Sequence, residues 1–283
     1  MQQYICLNGY YHKAEEPVLN YNNRGFLYGD ALFETMRANG KTIHFFDEHI
    51  SRIFYSMKEL KMKIPKKIED KSIKHEIIKL LHKNRHLKGS RIRLTVFRDS
   101  GGKYAPEKNT ASYLIETDAL DNETYQLNDK GLNIDVFYAY KKPRSLLSNM
   151  KTTNDLIYIL AGIFKQERQL DECIILNDNN EVTEAVSSNI FLVNGNVLKT
   201  PPLTSGCLNG IMRKQVLNFT KEIGLQIALQ KISPEELLES DEVLLSNAIH
   251  GIQWVGAFRD IRYFNKTSKE MLKMLNQLTK IED

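Results

Sequence analysis

Apolar residues in the first half of the chain fall first into short β-rich runs and then into helical spacing. Tyr4-Ile5-Cys6-Leu7, followed by Asn8-Gly9, predicts an opening strand and hairpin. Asn39-Gly40 predicts a second hairpin, between Leu32–Arg37 and Thr42–Phe46. Asp47 is placed to cap a helix in which Ile50, Ile53, Phe54, Met57 and Leu60 recur at helical spacing, and Pro65 to stop it. Residues 69–85 carry a second helical pattern, and Arg91–Phe97 and Ala111–Glu116 read as strands. The polar stretch Thr117–Lys130 has no period and reads as a linker.

In the second half, a strand at Leu132–Tyr138 is followed by a loop with Pro143 that leads to Lys151. A helix from Asn154 to about Gln166 has Leu156, Ile157, Leu160 and Ile163 on one face. Strands at Cys173–Leu176, Ile190–Val193 and Val197–Lys199 are separated by turns. Leu208-Asn209-Gly210-Ile211-Met212-Arg213 reads as a loop entering a helix, with Asn209 as N-cap and an end near Gly224. Ser233-Pro234-Glu235-Glu236 is a capping box, Val243-Leu244-Leu245 a short buried strand. Thr267-Ser268-Lys269-Glu270 opens a last helix with Leu272, Leu275 and Leu278 inward. Alternating strands and helices predict an α/β (α+β) fold with mixed sheets, divided into residues 1–118, a linker at 119–130, and residues 131–283.

Composition narrows the class. The 283 residues, 42% hydrophobic and 26% charged, describe an ordinary globular chain, and a net charge of +4 gives no footprint for nucleic acid. Cys6, Cys173 and Cys207 lack metal-ligand spacing and cannot all pair, which fits a reducing cytoplasm; Cys207 reads as a small buried apolar residue. No secretory signal and no membrane-spanning window is visible.

The motif survey excludes more than it selects. Dinucleotide-binding, P-loop and nucleophile-elbow patterns are absent, and the seven histidines are scattered. His49 and Arg52 share one side of the first helix, which a solvated face would also explain. Lys151 alone is one lysine among many, and Glu184 alone an exposed carboxylate. Leu208–Arg213 alone is an ordinary junction, although a helix N-terminus can hold a phosphate and Gly210 lets backbone approach it. Together, Lys151, Glu184, Arg52 and Gly210–Met212 would supply what pyridoxal phosphate needs: a Schiff-base lysine, a carboxylate for the pyridine nitrogen, and a cation with a helix N-terminus for the phosphate.

Tyr28-Gly29-Asp30-Ala31-Leu32-Phe33-Glu34, His49-Ile50-Ser51-Arg52 and Met150-Lys151-Thr152-Thr153-Asn154 occur in that order. Val182-Thr183-Glu184 through Asn189-Ile190-Phe191, Asn209–Arg213 and Ser240-Asp241-Glu242-Val243 follow. This ordered set resembles the fold-type IV pyridoxal-phosphate enzymes: branched-chain aminotransferases, D-amino-acid aminotransferases and 4-amino-4-deoxychorismate lyases. The resemblance implies a two-lobed fold with a smaller N-terminal lobe, a homodimer, and a small-molecule amino substrate.

Carried over by position, Lys151 is the implied Schiff-base lysine and proton shuttle, and Glu184 the partner of the pyridine nitrogen. Arg52 and the backbone N–H groups of Ile211 and Met212 are implied for the phosphate, Leu208 for packing on the ring, and Ser188, Asn189 and Asn247 for further cofactor contacts. Tyr28, Phe33 and Arg37 fall where the family lines its substrate pocket, near Ala248, and Arg93, Arg98 and Arg144 are candidate carboxylate contacts. Arg98-Asp99-Ser100-Gly101-Gly102-Lys103-Tyr104, Met212 and Ser246-Asn247-Ala248 resemble the lyases; aminotransferases commonly place Thr at the positions of Met212 and Ala248. Arg144 pulls toward the D-amino-acid aminotransferases. The expectation is therefore the lyase, with a class IV aminotransferase as the alternative. A non-catalytic homologue is disfavoured by the intact Lys151, Glu184 and Arg52.

Overall fold

The computed structural model describes residues 2–280, in two units. Among the described residues the first comprises residues 2–124 together with Lys151–Asn154, the second Tyr125–Met150 and residues 155–280. The division falls within the expected linker. Lys151–Asn154, which the sequence reading gave to the second lobe, belongs to the first, because Leu32 bridges Thr152 and the Phe33 N–H donates to the Lys151 carbonyl at 2.9 Å.

The first unit is built on β1 (Tyr4–Leu7), β2 (Tyr10–Lys13), β3 (Ala31–Asn39), β4 (Thr42–Ile43), β5 (Gly89–Arg98) and β6 (Ala111–Ala119). They form one sheet in the order β2-β1-β6-β5-β3-β4, antiparallel throughout rather than mixed. Asn8 and Gly9 both take positive φ, 49° and 88°, the conformation a tight hairpin needs and that Asn-Gly supplies at least cost. Four helices accompany the sheet: α1 (Arg24–Tyr28), α2 (Phe46–Glu59), α3 (Lys66–Glu69) and α4 (Ile73–Lys83). The stripe Ile50, Ile53 and Met57 of α2 is fully buried, with α2 lying against β3. Asp47 does not cap α2: the cap is Phe45 at φ 54°, and Asp47 sits in the first turn, where its charge suits the helix dipole. Nor does Pro65 end α2, which stops at Glu59; Pro65 caps α3 instead. The single helix expected over 69–85 breaks because Asp70 accepts the Ser72 N–H and Lys71 turns left-handed.

The second unit contains β7 (Leu132–Lys142), α5 (Leu156–Glu167), β8 (Glu172–Asn177), β9 (Val182–Ala185), β10 (Asn189–Asn194), β11 (Val197–Thr200), α6 (Ile211–Glu222), β12 (Gln226–Leu229), β13 (Glu242–Asn247), β14 (Gly251–Phe258), β15 (Ile261–Arg262) and α7 (Lys266–Leu278). Its strands follow the path β12-β11-β10-β13-β14-β7-β8-β9, with β15 beside β14. This sheet is mixed: β11–β12, β14–β7 and β7–β8 are parallel, the other pairs antiparallel. Its core joins Val136, Ile174, Leu176, Ile190, Leu192, Val243, Leu245 and Phe258. The α/β class with a mixed sheet thus holds.

Four local expectations change here. On α5 the apolar residues divide: Ile157, Tyr158 and Phe164 pack inward around Ala161, whereas Leu156, Leu160 and Ile163 face out. On α7, Met271 and Leu275 are buried and Leu278 is exposed. At α6 the N-cap is Gly210, not Asn209, and no side chain bonds the first-turn N–H groups. Tyr125, placed in a linker by sequence, is buried; its backbone N–H donates to Asn276 and its hydroxyl to the Ala248 carbonyl. Among the described residues no helix is long and apolar enough to cross a membrane.

Candidate active site

In the first unit, β3 carries Phe33 and Arg37 on one face and Glu34 on the other, all buried. The Phe33 ring meets two cations: the Arg93 guanidinium at 3.9 Å and the Lys151 ammonium at 4.2 Å from its centroid. Register explains Arg93, which lies opposite Thr35 on β5; the backbone bond from Phe33 to Lys151 explains the lysine. The unit thus gathers the expected nucleophile, one pocket-wall aromatic and one candidate carboxylate contact.

Glu34 organises the residues of α2. Its carboxylate accepts two hydrogen bonds from Arg52, at 2.7 and 2.5 Å, and one from His49 at 2.6 Å. Burial acts to raise the Glu34 pKa, but Arg52 and then His49 outweigh it and hold it at about 2. Burial is also the main reason the His49 pKa is lowered, so the imidazole is neutral and donates its Nδ1 proton. Glu34 stood inside the quoted motif, yet no role was read from it. Its signal is a carboxylate directly after the apolar run Ala31-Leu32-Phe33.

The other expected arginines sit elsewhere. Arg37 donates to the Asn122 and Thr124 carbonyls and so ties down the end of the unit's main segment. Arg98 bonds Asp30, Asn109 and the Leu60 carbonyl. Arg24, from the same Asp30, reaches the carbonyls of Gly101, Gly102 and Lys103 and so shapes the glycine-rich loop. Tyr28, at the end of α1, packs its ring on Tyr104 of that loop at 5.8 Å. Arg144, in the second unit, is a surface residue bonded to Asp178 and Asn179.

In the second unit, Glu184 on β9 is 3% exposed. Its Oε2 accepts the Leu208 N–H at 2.8 Å, which fixes the start of the Leu208–Arg213 loop to the carboxylate. Two residues further on, Gly210 opens α6 with an extended backbone (φ −70°, ψ 138°). A Cβ on Gly210 would lie 2.0 Å from the Asn189 side-chain oxygen, so only glycine fits. Asn189 donates to the Leu208 carbonyl at 2.9 Å, and Asn247 donates to Ser188 Oγ at 2.9 Å while its oxygen caps the turn at Ile249 and His250. One short loop therefore joins a buried carboxylate to an uncapped helix N-terminus with hydroxyl and amide groups at hand. That donor set fits a flat heteroaromatic ring with a basic nitrogen at one end and a phosphate at the other.

Cys207 is buried, and burial, then Glu184, push its thiol up to about 11, so it is an inert apolar neighbour. Two further residues touch Glu184 and were not singled out in the sequence. Lys142, at the end of β7, and Tyr158, on α5, both donate to Oε1, at 2.5 and 2.6 Å. Burial first and Glu184 next raise the Tyr158 pKa, so its hydroxyl stays protonated and donates.

The mixed-sheet α/β fold is that of the fold-type IV enzymes. Residues 31–258 match the amino-transferase class IV family, and the chain belongs to it. It is a pyridoxal-phosphate-dependent enzyme, an aminotransferase or a lyase. It is 28% identical over 272 residues to the aminodeoxychorismate lyase of Bacillus subtilis, covering 94% of this chain and 90% of that one. It is also 28% identical over 245 residues to a D-alanine aminotransferase of Bacillus licheniformis, covering 86% and 84%. The crystal structure of a branched-chain amino acid aminotransferase from Escherichia coli shares its fold, with a TM-score of 0.88 at 24% identity over 100% of this chain and 97% of that one.

Proposed function

We propose that the chain is a 4-amino-4-deoxychorismate lyase, releasing pyruvate and 4-aminobenzoate, a folate precursor. The observation that carries this reading is the aliphatic pair Met212 and Ala248, at positions where aminotransferases of the family commonly place a hydroxyl. Met212 is buried in the first turn of α6, and Ala248 has no side-chain hydroxyl, its carbonyl accepting the Tyr125 hydroxyl. Arg144, the residue that points to a D-amino-acid substrate, is paired with Asp178 at the surface, which favours the lyase reading.

Each residue then has a task. Lys151 Nζ removes the proton from the ring carbon that bears the amine. The enolpyruvyl ether on the adjacent carbon leaves with its bonding electrons and takes a proton to become pyruvate, and the ring becomes aromatic. When bound, pyridoxal phosphate supplies the electron sink that makes this proton acidic. Glu184 would accept the hydrogen bond of its pyridine nitrogen, and the first N–H groups of α6, with Ser188 and Asn247, would hold its phosphate, to which Arg52, oriented by Glu34, would add its charge. Arg93, beside Phe33, takes a substrate carboxylate.

We also propose a homodimer. Leu156, Ile159, Leu160 and Ile163 form an i, i+3, i+4, i+7 stripe on α5, all 38% exposed or more, and a second copy is the occupant that would cover it. The three free buried cysteines support a reducing cytoplasm as the compartment. The reading is tested by offering purified, cofactor-loaded enzyme 4-amino-4-deoxychorismate on one hand, and L- and D-amino acids with 2-oxo acids on the other. Release of 4-aminobenzoate without transamination supports the lyase; efficient transamination without 4-aminobenzoate replaces it with the aminotransferase.

A further inference from the structure

Both oxygens of Glu184 are held by the second unit itself. Oε1 accepts the Lys142 ammonium and the Tyr158 hydroxyl, and Oε2 accepts the Leu208 N–H, which leaves Oε2 room for one more donor. The Tyr158 hydroxyl and the neighbouring Cys207 thiol are neutral, and among the described residues Lys142 is the cation that pairs with this carboxylate. Lys142 and Glu184 are both buried. The ammonium also donates to the Ser148 carbonyl at 2.9 Å, so it cannot leave Oε1 without giving up a second buried bond. Register fixes its stem: Lys142 ends β7, paired to Asn177 on β8.

A carboxyl group and a ring nitrogen that share one proton have two arrangements. The proton rests on the nitrogen, facing an ionised carboxylate, or on the carboxyl group, facing a neutral nitrogen. Out of water the second is favoured, because burying two charges costs more than burying none. An ammonium on the carboxylate reverses that preference. It stabilises the ionised carboxylate by direct contact and acts more weakly on a group beyond the other oxygen. We propose that Lys142 is a positioning residue that keeps this proton on the pyridine nitrogen of the cofactor, by holding Glu184 ionised through Oε1. Tyr158 and the Leu208 N–H orient the carboxylate, whereas Lys142 sets where the proton lies. The electron sink of the proposed reaction then depends on a residue that acts through Glu184. The inference rests on the assignment of Glu184 to the pyridine nitrogen.

The test uses holoenzyme loaded with cofactor labelled with 15N in the pyridine ring and read by 15N NMR at neutral pH. The wild-type resonance is expected at its protonated limit. Lys142→Gln, which keeps a donor but removes the charge, and Lys142→Met should both move it toward the unprotonated limit. Lys142→Arg should return it, and Tyr158→Phe, which removes a neutral donor, should move it less than Lys142→Gln. A wild-type resonance short of the protonated limit overturns the proposal without any variant. So does a resonance that stays at that limit in a folded Lys142→Gln or Lys142→Met enzyme, or a Tyr158→Phe shift as large as that of Lys142→Gln. Glu184→Gln separates this from failure of the underlying assignment. If that variant leaves the resonance unmoved, or if the label never attaches to Lys151 in wild-type protein, as read by borohydride reduction and peptide mass, the cofactor assignment itself falls, which is a different result.

Discussion

Glu34 and Arg52 are joined by two parallel hydrogen bonds, 2.7 and 2.5 Å long, inside the first unit. The pair turns the Arg52 guanidinium from a flexible surface group into a fixed one, with His49 completing the carboxylate's shell. An anion-binding arginine profits from that, because its ordering cost is met on folding rather than on binding.

The same pair makes stability depend on acid. The Glu34 pKa in the fold is about 2 against an ordinary value of 4.5. Its contribution is therefore complete above about pH 4.5 and is lost as pH falls through about 2, with a total on the order of 3 kcal/mol. Glu34→Gln should flatten denaturant-derived stability between those limits relative to wild type. It should also weaken cofactor binding, because Arg52 loses its brace. Parallel stability–pH curves for the two proteins would contradict this.

Lys151→Ala should replace the absorbance band of the Schiff base by that of the free aldehyde and lower turnover by about 10²- to 10⁴-fold, the usual range for a positioned proton-transfer group. Cofactor retained non-covalently, with its phosphate still held, is the expected residual state. Visible spectra before and after gel filtration, together with product formation, check both parts.

Arg93 and Arg144 should separate cleanly. Arg93→Leu removes a charged partner beside Phe33 and should cost about 10- to 100-fold in kcat/KM, mostly through KM. Arg144→Ala removes only an exposed pairing with Asp178 and should leave the steady-state constants as they are. The reverse pattern would return Arg144 to the substrate and favour a D-amino-acid aminotransferase.

Leu160→Glu, on the outer stripe of α5, should shift sedimentation from dimer to monomer. Each large aliphatic side chain buried at an interface stabilises it by about 1.5–3 kcal/mol, and a charge there would be desolvated as well. An unchanged sedimentation coefficient would place the interface elsewhere.

What was legible in the sequence was what short-range chemistry controls. The Asn8-Gly9 turn, the buried stripe of α2 and the loop entering α6 were all readable from local residue types. The ordered motifs led to Lys151, Glu184 and Arg52 because each stands inside a recognisable segment. Lys142 was missed for the opposite reason: in Lys141-Lys142-Pro143-Arg144 it reads as one of a solvated run, and only the fold brings it to a carboxylate 42 residues away. Arg37 and Arg98 were placed at the substrate by family resemblance, which carries no information on their local partners; in the fold both bond backbone carbonyls of loops distant in sequence. The apolar face of α5 was legible as Leu156, Ile157, Leu160 and Ile163, but periodicity does not say what covers it, and only Ile157 of these packs against the core.

The most direct test of the central claim is turnover of 4-amino-4-deoxychorismate by holoenzyme with no 2-oxo acid present. A lyase needs no amino acceptor. The account predicts sustained, multiple-turnover release of 4-aminobenzoate and pyruvate in equal amounts, at a rate that added 2-oxoglutarate does not change. No 4-aminobenzoate, together with amino-group transfer that runs only while a 2-oxo acid is supplied, would contradict it.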